Sequence, residues 1–185
     1  MNKKQTKALR MYGVSAGDSR LLDHHRECLR ATGFTIHVLV FDGLPVTYTI
    51  GAQDKLGYEL MLVGVQPHVG MTYLVEVANY VSACRRSSGS FPEDTVVLPS
   101  GMVSAPFSVE HPGSIPVDEF NQVFNTAIAL GRRPNEVRHV VALLPRKALE
   151  PLSQGMRMPS TIRRMALRQK EDTEMAEASG AASLT

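Results

Sequence analysis

The sequence predicts an α+β fold, with a mixed, mostly antiparallel sheet of about six strands and three helices packed on it. Short β-branched, apolar runs predict the strands, and longer segments with apolar residues at helical spacing predict the helices. Hairpin signals join most of the strands, which favours antiparallel pairing. The predicted order, α-β-β-β-α-β-β-α-β, lacks the regular alternation of a doubly wound nucleotide-binding fold.

The first half of the chain predicts one helix followed by three strands. Residues 15–33 have helical spacing, and Ser15 and Asp18 have the spacing of a capping box at its start. The strands are predicted at residues 34–41, 46–52 and 59–65. The pair Asp42-Gly43 favours a tight turn, so the first two strands should form a hairpin.

The second half predicts two further helices and three further strands. A largely apolar helix is predicted over 69–86, and a third helix over 115–131 with Pro116 near its start. The strands are predicted at residues 95–101, 102–111 and 137–145. The prolines in the middle pair of strands place them near a sheet edge or at strand ends.

Composition indicates a single domain with charged ends. The 185 residues are 43% apolar and 21% charged, with a net charge of +2, which gives no general argument for nucleic-acid binding. We expect a basic arm over 1–17, the α+β domain over 18–150 and a charged tail over 151–185 that is mobile or held by a partner. No apolar run approaches the ~18 residues of a membrane span. The two separated cysteines, Cys28 and Cys84, favour a reduced, cytoplasmic setting.

The sequence indicates no metal site and no cofactor. Phosphate-binding glycine loops and serine nucleophile elbows are absent. Asp23, His24 and His25 are adjacent, but neighbouring helical residues point about 100° apart and cannot converge on one ion. His24 and Cys28 do have the spacing of helical ligands. We nevertheless expect a solvated His24 and a His25 that flanks the core.

The most informative polar residues lie around the second and third strands. Alternation places Thr49 on one face of its strand and Tyr48 on the other, and Gly51 allows a bulge or a close backbone approach. Glu59 begins the next apolar strand. Because a buried lone carboxylate is costly, Glu59 is either solvated at the strand edge or paired in a polar pocket.

Two histidines in predicted strands are weak candidates for catalysis. His139 interrupts an apolar strand, and His37 lies in the first strand. Either could act with Glu59 in general acid–base chemistry if the side chains converge, with Tyr48 as a hydrogen-bond donor. No complete catalytic constellation is evident, so an enzyme is the less favoured reading.

The predicted tail is a candidate partner-binding segment. It carries Arg157, Arg163, Arg164 and Arg168, followed by an acidic stretch. These arginines favour an acidic partner. Nucleic acid is the less favoured partner because the tail has no aromatic residue for base stacking.

The run from the first helix to the third strand resembles an uncharacterised bacterial and phage family, domain of unknown function 4262. The motifs that carry the resemblance are Thr32-Gly33-Phe34, Tyr48-Thr49-Ile50-Gly51, Gly57-Tyr58-Glu59-Leu60 and Val63-Gly64-Val65. The outline covers residues 19–145. The chain departs from the family pattern where Tyr58 replaces a His-Pro pair, and where Leu143-Leu144-Pro145-Arg146 replaces an aromatic-rich strand end.

The resemblance implies a fold and shared positions, and it implies no reaction. It identifies Tyr48, Thr49, Gly51 and Glu59 as a common surface or pocket, and so makes them the candidate ligand-binding residues. A phage setting would imply a host defence protein, or its nucleotide signal, as the partner.

Three functions remain open on the sequence. The favoured one is a non-enzymatic binding or interaction protein that holds a small polar ligand or a protein partner. The first alternative is a hydrolase that uses Glu59 with His139 or His37. The second alternative is a structural component of a larger assembly. The oligomeric state is not determined by the sequence.

Overall fold

The computed structural model describes residues 19–41, 44–88, 96–99, 103–104, 108–110, 117–133, 137–140 and 159–182. The predicted arm over 1–17 and Arg157 of the predicted tail lie outside these residues. Within them the chain has an α+β architecture with a mixed sheet and several helices. None of the described helices is both long and apolar enough to span a membrane.

The described elements follow the predicted order closely in the first half of the chain. The helices are α1 (Ser19–Thr32), α2 (Gln53–Leu56), α3 (Pro67–Ser88), α4 (Val117–Val123), α5 (Asn125–Ala129) and α6 (Ser160–Ala182). The strands are β1 (Thr35–Phe41), β2 (Leu44–Ile50), β3 (Glu59–Val63), β4 (Val96–Val97), β5 (Val103–Ser104), β6 (Ser108–Glu110) and β7 (Val137–His139).

The main sheet has the strand order β1-β2-β3-β7-β6. Only the β3–β7 pairing is parallel, so the described sheet is mixed and mostly antiparallel, as predicted. The β1–β2 hairpin is in register over all of β1, from Thr35 opposite Ile50 to Phe41 opposite Leu44. Strands β4 and β5 form a separate two-stranded sheet.

Apolar side chains on both faces of the sheet are buried under helices. On one face Tyr48, Ile50 and Met61 share a core with α4, α5 and α6. On the other face Leu60 and Leu62 share a core with α2 and α3. The sheet is therefore the middle layer of the fold, and its internal strands can be apolar on both sides.

Helix α6 lies in the segment that the sequence assigns to a charged tail. Its inner side chains Ile162, Met165 and Ala166 belong to the core on the Tyr48 face of the sheet. At its start, the backbone N–H groups of Ser160 and Thr161 donate to the carboxylate of Glu119. Apolar residues at helical spacing give α6 a face that packs on the sheet.

A glutamine fixes α6 to the middle of the sheet. Gln169 is fully buried, and its amide nitrogen donates to the carbonyl of Val63 at 2.7 Å while its oxygen accepts from the N–H of Val63 at 3.4 Å. The same oxygen accepts from His139 Nε2 at 2.8 Å. Strand β7 ends at His139, which is paired with Met61 of β3, so β7 has no residue opposite Val63, and the Gln169 amide bonds the Val63 backbone there.

The predicted count of six strands and three helices is wrong in detail. The described residues contain seven short or medium strands in two sheets, since the strand predicted over 102–111 divides into β5 in the small sheet and β6 in the main sheet. The helix predicted over 115–131 is interrupted at Phe124, whose backbone leaves the helical region at φ −105° and ψ 20°. The ring of Phe124 is buried edge-on against Tyr48 with centroids 5.1 Å apart. Packing of this ring accompanies the break between α4 and α5.

We predict that Gln169→Leu destabilises the fold by about 3 kcal/mol, because it leaves the N–H and C=O of Val63 and the His139 N–H buried without partners. Arg168→Leu is the matched control, since Arg168 is the exposed neighbour on the same helix. Urea denaturation of the three proteins measures the effect. Equal loss of stability in both variants would show that the glutamine bridge contributes little.

Candidate functional site

Three of the four predicted ligand-binding residues converge on one another. The carboxylate of Glu59 accepts from Thr49 Oγ1 at 2.7 Å, from the N–H of Gly51 at 2.7 Å and from the N–H of Ala52 at 3.1 Å. Thr49 Oγ1 also accepts from the N–H of Leu60 at 2.8 Å. Glu59 therefore cross-links the end of β2, the turn before α2 and the start of β3, and it is 1% exposed.

The close approach predicted at Gly51 is present. Gly51 has φ +92°, in the left-handed region where a side chain is strained. A Cβ there would lie 2.6 Å from Leu29 Cδ2 and 3.0 Å from the carbonyl oxygen of Gly33. Glycine thus lets the β2 end turn under α1 while presenting its N–H to Glu59.

Burial dominates the acidity of the Glu59 carboxyl. Burial raises its pKa to about 7, although the hydrogen bonds from Thr49 and from the backbone of Gly51 and Ala52 act in the opposite direction. The carboxylate oxygens already hold three donors of the protein itself. Its contacts are those of a structural cross-link, and they direct it toward the turn rather than toward solvent.

Tyr48 lies on the opposite face of β2 from Thr49, as alternation predicts. It is aligned across the sheet with His37 on β1 and with Met61 on β3, and Met61 is aligned with His139 on β7. Neighbouring strands are about 4.8 Å apart, so His37 and His139 are separated by roughly 14 Å. The two histidines proposed as alternative partners of Glu59 therefore lie on different strands, with β2 and β3 between them.

His139 is engaged with Gln169 and is completely buried. Burial lowers the pKa of His139 to about 4, outweighing the opposite effect of the Gln169 hydrogen bond, and the nearby Arg168 charge lowers it further. The ring is therefore neutral near pH 7. A general base needs a proton acceptor that faces a substrate, whereas this ring faces the inner side of α6.

His37 belongs to a buried chain of hydrogen bonds. His25 Nδ1 lies 2.9 Å from Thr35 Oγ1, His25 Nε2 lies 3.1 Å from His37 Nδ1, and His37 Nε2 lies 3.1 Å from Thr126 Oγ1. Thr126 donates its hydroxyl proton to Asn125 Oδ1 at 3.2 Å.

Each ring nitrogen of His25 and His37 faces one hydrogen-bond partner. A neutral imidazole has one donor and one acceptor nitrogen, so the chain can be completed from Thr35 to Thr126 with both rings neutral. Both rings are satisfied in the neutral state, and burial, followed by the charge of His24, lowers the pKa of His25.

A cavity of about 390 Å³ lies beside β1. It is lined by His24, Cys28 and Thr32 of α1, by Phe34, Thr35 and Ile36 at the start of β1, and by Met71, Val75 and Asn79 of α3. Its volume is in the range of small-ligand sites. Thr35 connects this cavity to the buried histidine chain, because it lines the cavity and its hydroxyl is hydrogen-bonded to His25.

The described arginines of the predicted partner-binding segment lie on the outer side of α6. Arg163, Arg164 and Arg168 are exposed, whereas Met165 and Ala166 between them face the core. Arg157 lies outside the described residues. The three arginines form a basic outer surface on α6.

Sequence reasoning missed the residues around the cavity. The pairing of His25 with Thr35 and His37 joins a helix to a strand across a turn, and no local spacing signals it. The proximity of His24 and Cys28 was visible in their helical spacing, but their cavity depends on α3, about forty residues further along the chain.

No protein-family model, curated protein or solved structure matches this chain. In the described part of the chain, no group of three or more histidine, cysteine, aspartate or glutamate residues is placed to hold a metal ion. The site is therefore characterised by its own geometry.

We predict that His139 makes the protein less stable in acid. The unfolded chain binds a proton at His139 below its ordinary pKa of 6.5, whereas the folded protein does so only near 4, so the stabilisation is complete above 6.5 and is lost as the pH falls toward 4. In His139→Gln, the loss of unfolding free energy between about pH 7.5 and about pH 5 should be smaller by about 2 kcal/mol. Urea denaturation at both pH values measures it. Because Glu59 and His25 titrate in both proteins, an identical loss would contradict the account of His139.

Proposed function

We propose that this protein is a non-enzymatic interaction protein that binds an extended segment of a protein partner along the free edge of β1. The observation that supports this most is the position of β1, which is the terminal strand of the main sheet and forms one wall of the cavity. An added strand would bond to the β1 backbone, and one of its side chains would enter the cavity.

Within the described residues, the edge of β1 lacks the sequence features that usually prevent strand addition. Its seven residues, TIHVLVF, include no proline and no acidic or basic residue apart from the buried His37. The register with β2 is continuous, so no bulge twists the edge away. In an antiparallel pair, alternate residues direct their N–H and C=O groups away from the partner strand. In the part of the chain that the structure describes, no strand lies on that side of β1, so those groups could pair with a further strand.

The side chains around this edge are apolar and exposed. Val40 on β1 is 61% exposed, and Met71 and Val75 on α3 are each 39% exposed. Met71 and Val75 also line the cavity. The edge supplies backbone hydrogen bonds and the cavity supplies an apolar contact, which together are the two parts of strand-addition recognition.

The other expected sites have weaker geometric support. The oxygens of Glu59 hold donors from the protein's own turn, so they offer little to a polar ligand. A hydrolase would need Glu59 and a histidine to act on one substrate atom, whereas His139 bonds Gln169 and His37 bonds His25. A place in a larger assembly is compatible with strand addition, and the exposed arginines of α6 would then contact an acidic partner.

Membership of the domain of unknown function 4262 family is part of the proposal. Its support is the sequence motifs that end β2 and begin β3, namely Tyr48-Thr49-Ile50-Gly51 and Gly57-Tyr58-Glu59-Leu60. In this chain the residues of these motifs form the Glu59 cross-link. We therefore propose that the residues of these motifs fix the shape of the sheet and that β1 binds the partner.

The test is selection of binders from a displayed library of random peptides, followed by titration calorimetry of a selected peptide. Val40→Lys places a charge on the edge and should weaken binding at least about tenfold. Val75→Asp places a charge at the cavity and should do the same. Val40→Thr and Thr72→Asp are the matched controls, since Thr keeps the β-branched shape and Thr72 is an exposed residue of α3 outside the cavity lining.

Peptides that bind the controls well and the two charged variants poorly would support the proposal. Peptides that bind all four variants equally would overturn it. Binding that is lost only on Glu59→Gln would also overturn it and would place the binding site at the β2–β3 turn.

A further inference from the structure

A thiol and an imidazole lie together on the wall of the cavity. His24 and Cys28 are one helical turn apart on α1, and Cys28 Sγ lies 3.6 Å from His24 Nε2. In the tautomer that carries its proton on Nδ1, His24 accepts a hydrogen bond from the thiol. A nucleophile with an adjacent base is the arrangement that activates thiols for attack on carbonyl carbon.

The cavity gives this pair a place for a substrate. Both residues line it, and the opposite walls are formed by apolar Phe34, Ile36 and Val75. Cys28 is partly buried and lines the cavity, while His24 is exposed and keeps contact with solvent. An apolar chain could occupy the cavity with its reactive end at Cys28.

We propose that Cys28 is a covalent acceptor for apolar acyl groups that arrive as thioesters, with His24 as its general base. The cavity holds the acyl chain, and the pair at its wall carries out the transfer. This modification goes beyond the binding of a partner peptide. The transfer requires no peptide, although the acyl chain would occupy the cavity that the proposed partner's side chain enters.

The step balances without an oxidant or a reductant. His24 Nε2 takes the proton of the Cys28 thiol as the sulfur attacks the thioester carbonyl carbon. A bond forms between Cys28 Sγ and that carbon, and the bond between the carbon and the donor's sulfur breaks. The departing thiolate then takes the proton from His24, so the products are the acylated Cys28 and a free thiol.

The chain supplies its own control cysteine. Cys84 is also partly buried, but it lies on α3 outside the cavity lining. General chemical reactivity would modify both cysteines, whereas the proposed site selects Cys28 and prefers a long acyl chain.

The experiment incubates the full chain with the dodecanoyl or the acetyl thioester of N-acetylcysteamine and follows the protein by intact and peptide mass spectrometry. We expect dodecanoyl transfer to Cys28, reversed by hydroxylamine, and at least about tenfold slower acetyl transfer. His24→Asn should slow dodecanoyl transfer about a hundredfold. Cys28→Ser should abolish it, and Cys84→Ser should leave its rate unchanged.

The variant Val75→Asp tests the role of the cavity separately from the reactivity of the Cys28 thiol. It should slow dodecanoyl transfer while leaving the reaction of Cys28 with iodoacetamide unchanged. Thermal melting of every variant checks the fold. Equal modification of Cys28 and Cys84, equal rates for the two thioesters, or an unchanged rate in His24→Asn would overturn the proposal, and peptide binding by the same samples would show that only this inference had failed.

Discussion

The candidate site depends on how α1 is held against β1. Leu22 and His25 are the buried residues of this fourteen-residue helix, and the remaining described side chains are partly or fully exposed. Leu22 supplies an apolar contact, while His25 bonds Thr35 and His37 of β1. Since α1 forms one wall of the cavity, the bonds of His25 help to fix that wall against β1. The hydrogen bonds of His25 are complete when the imidazole rings of His25 and His37 are neutral. The position of α1 against β1 therefore depends on the protonation state of these two rings.

Polar groups inside the fold serve mainly to join elements that the chain keeps far apart. Glu59 fastens the turn between β2 and β3, Gln169 fastens α6 to β3, and Thr126 connects α5 to β1 through His37. Each of these side chains either bonds a backbone group in place of another backbone group or completes a chain of hydrogen-bond donors and acceptors. Because an unpaired buried polar group costs about 1–3 kcal/mol, such groups define one arrangement more sharply than apolar contacts do. Exposed apolar side chains and the outer backbone groups of the described sheet occur instead along β1, where we propose that the partner binds.

Local patterns predicted the parts of the fold that local physics determines. The β1–β2 hairpin, the opposite faces of Tyr48 and Thr49, and the turn at Gly51 all follow from alternation and glycine geometry. The packing of α6 could not be predicted this way, because Gln169 meets Val63 across 106 residues. The break at Phe124 and the partners of Glu59 likewise arise from tertiary contacts. The cavity was missed for the same reason, since it requires α1, β1 and α3 together.

The most direct test of the central claim is amide hydrogen exchange of β1, resolved by residue and repeated over a range of protein concentrations. If the edge is open, alternate amides from Ile36 to Val40 should exchange much faster than those of β3, and a bound peptide should slow them selectively. Protection of every β1 amide to the level of β3 in the free protein at low concentration would contradict the account. It would mean that another segment already covers the edge where the partner is proposed to bind.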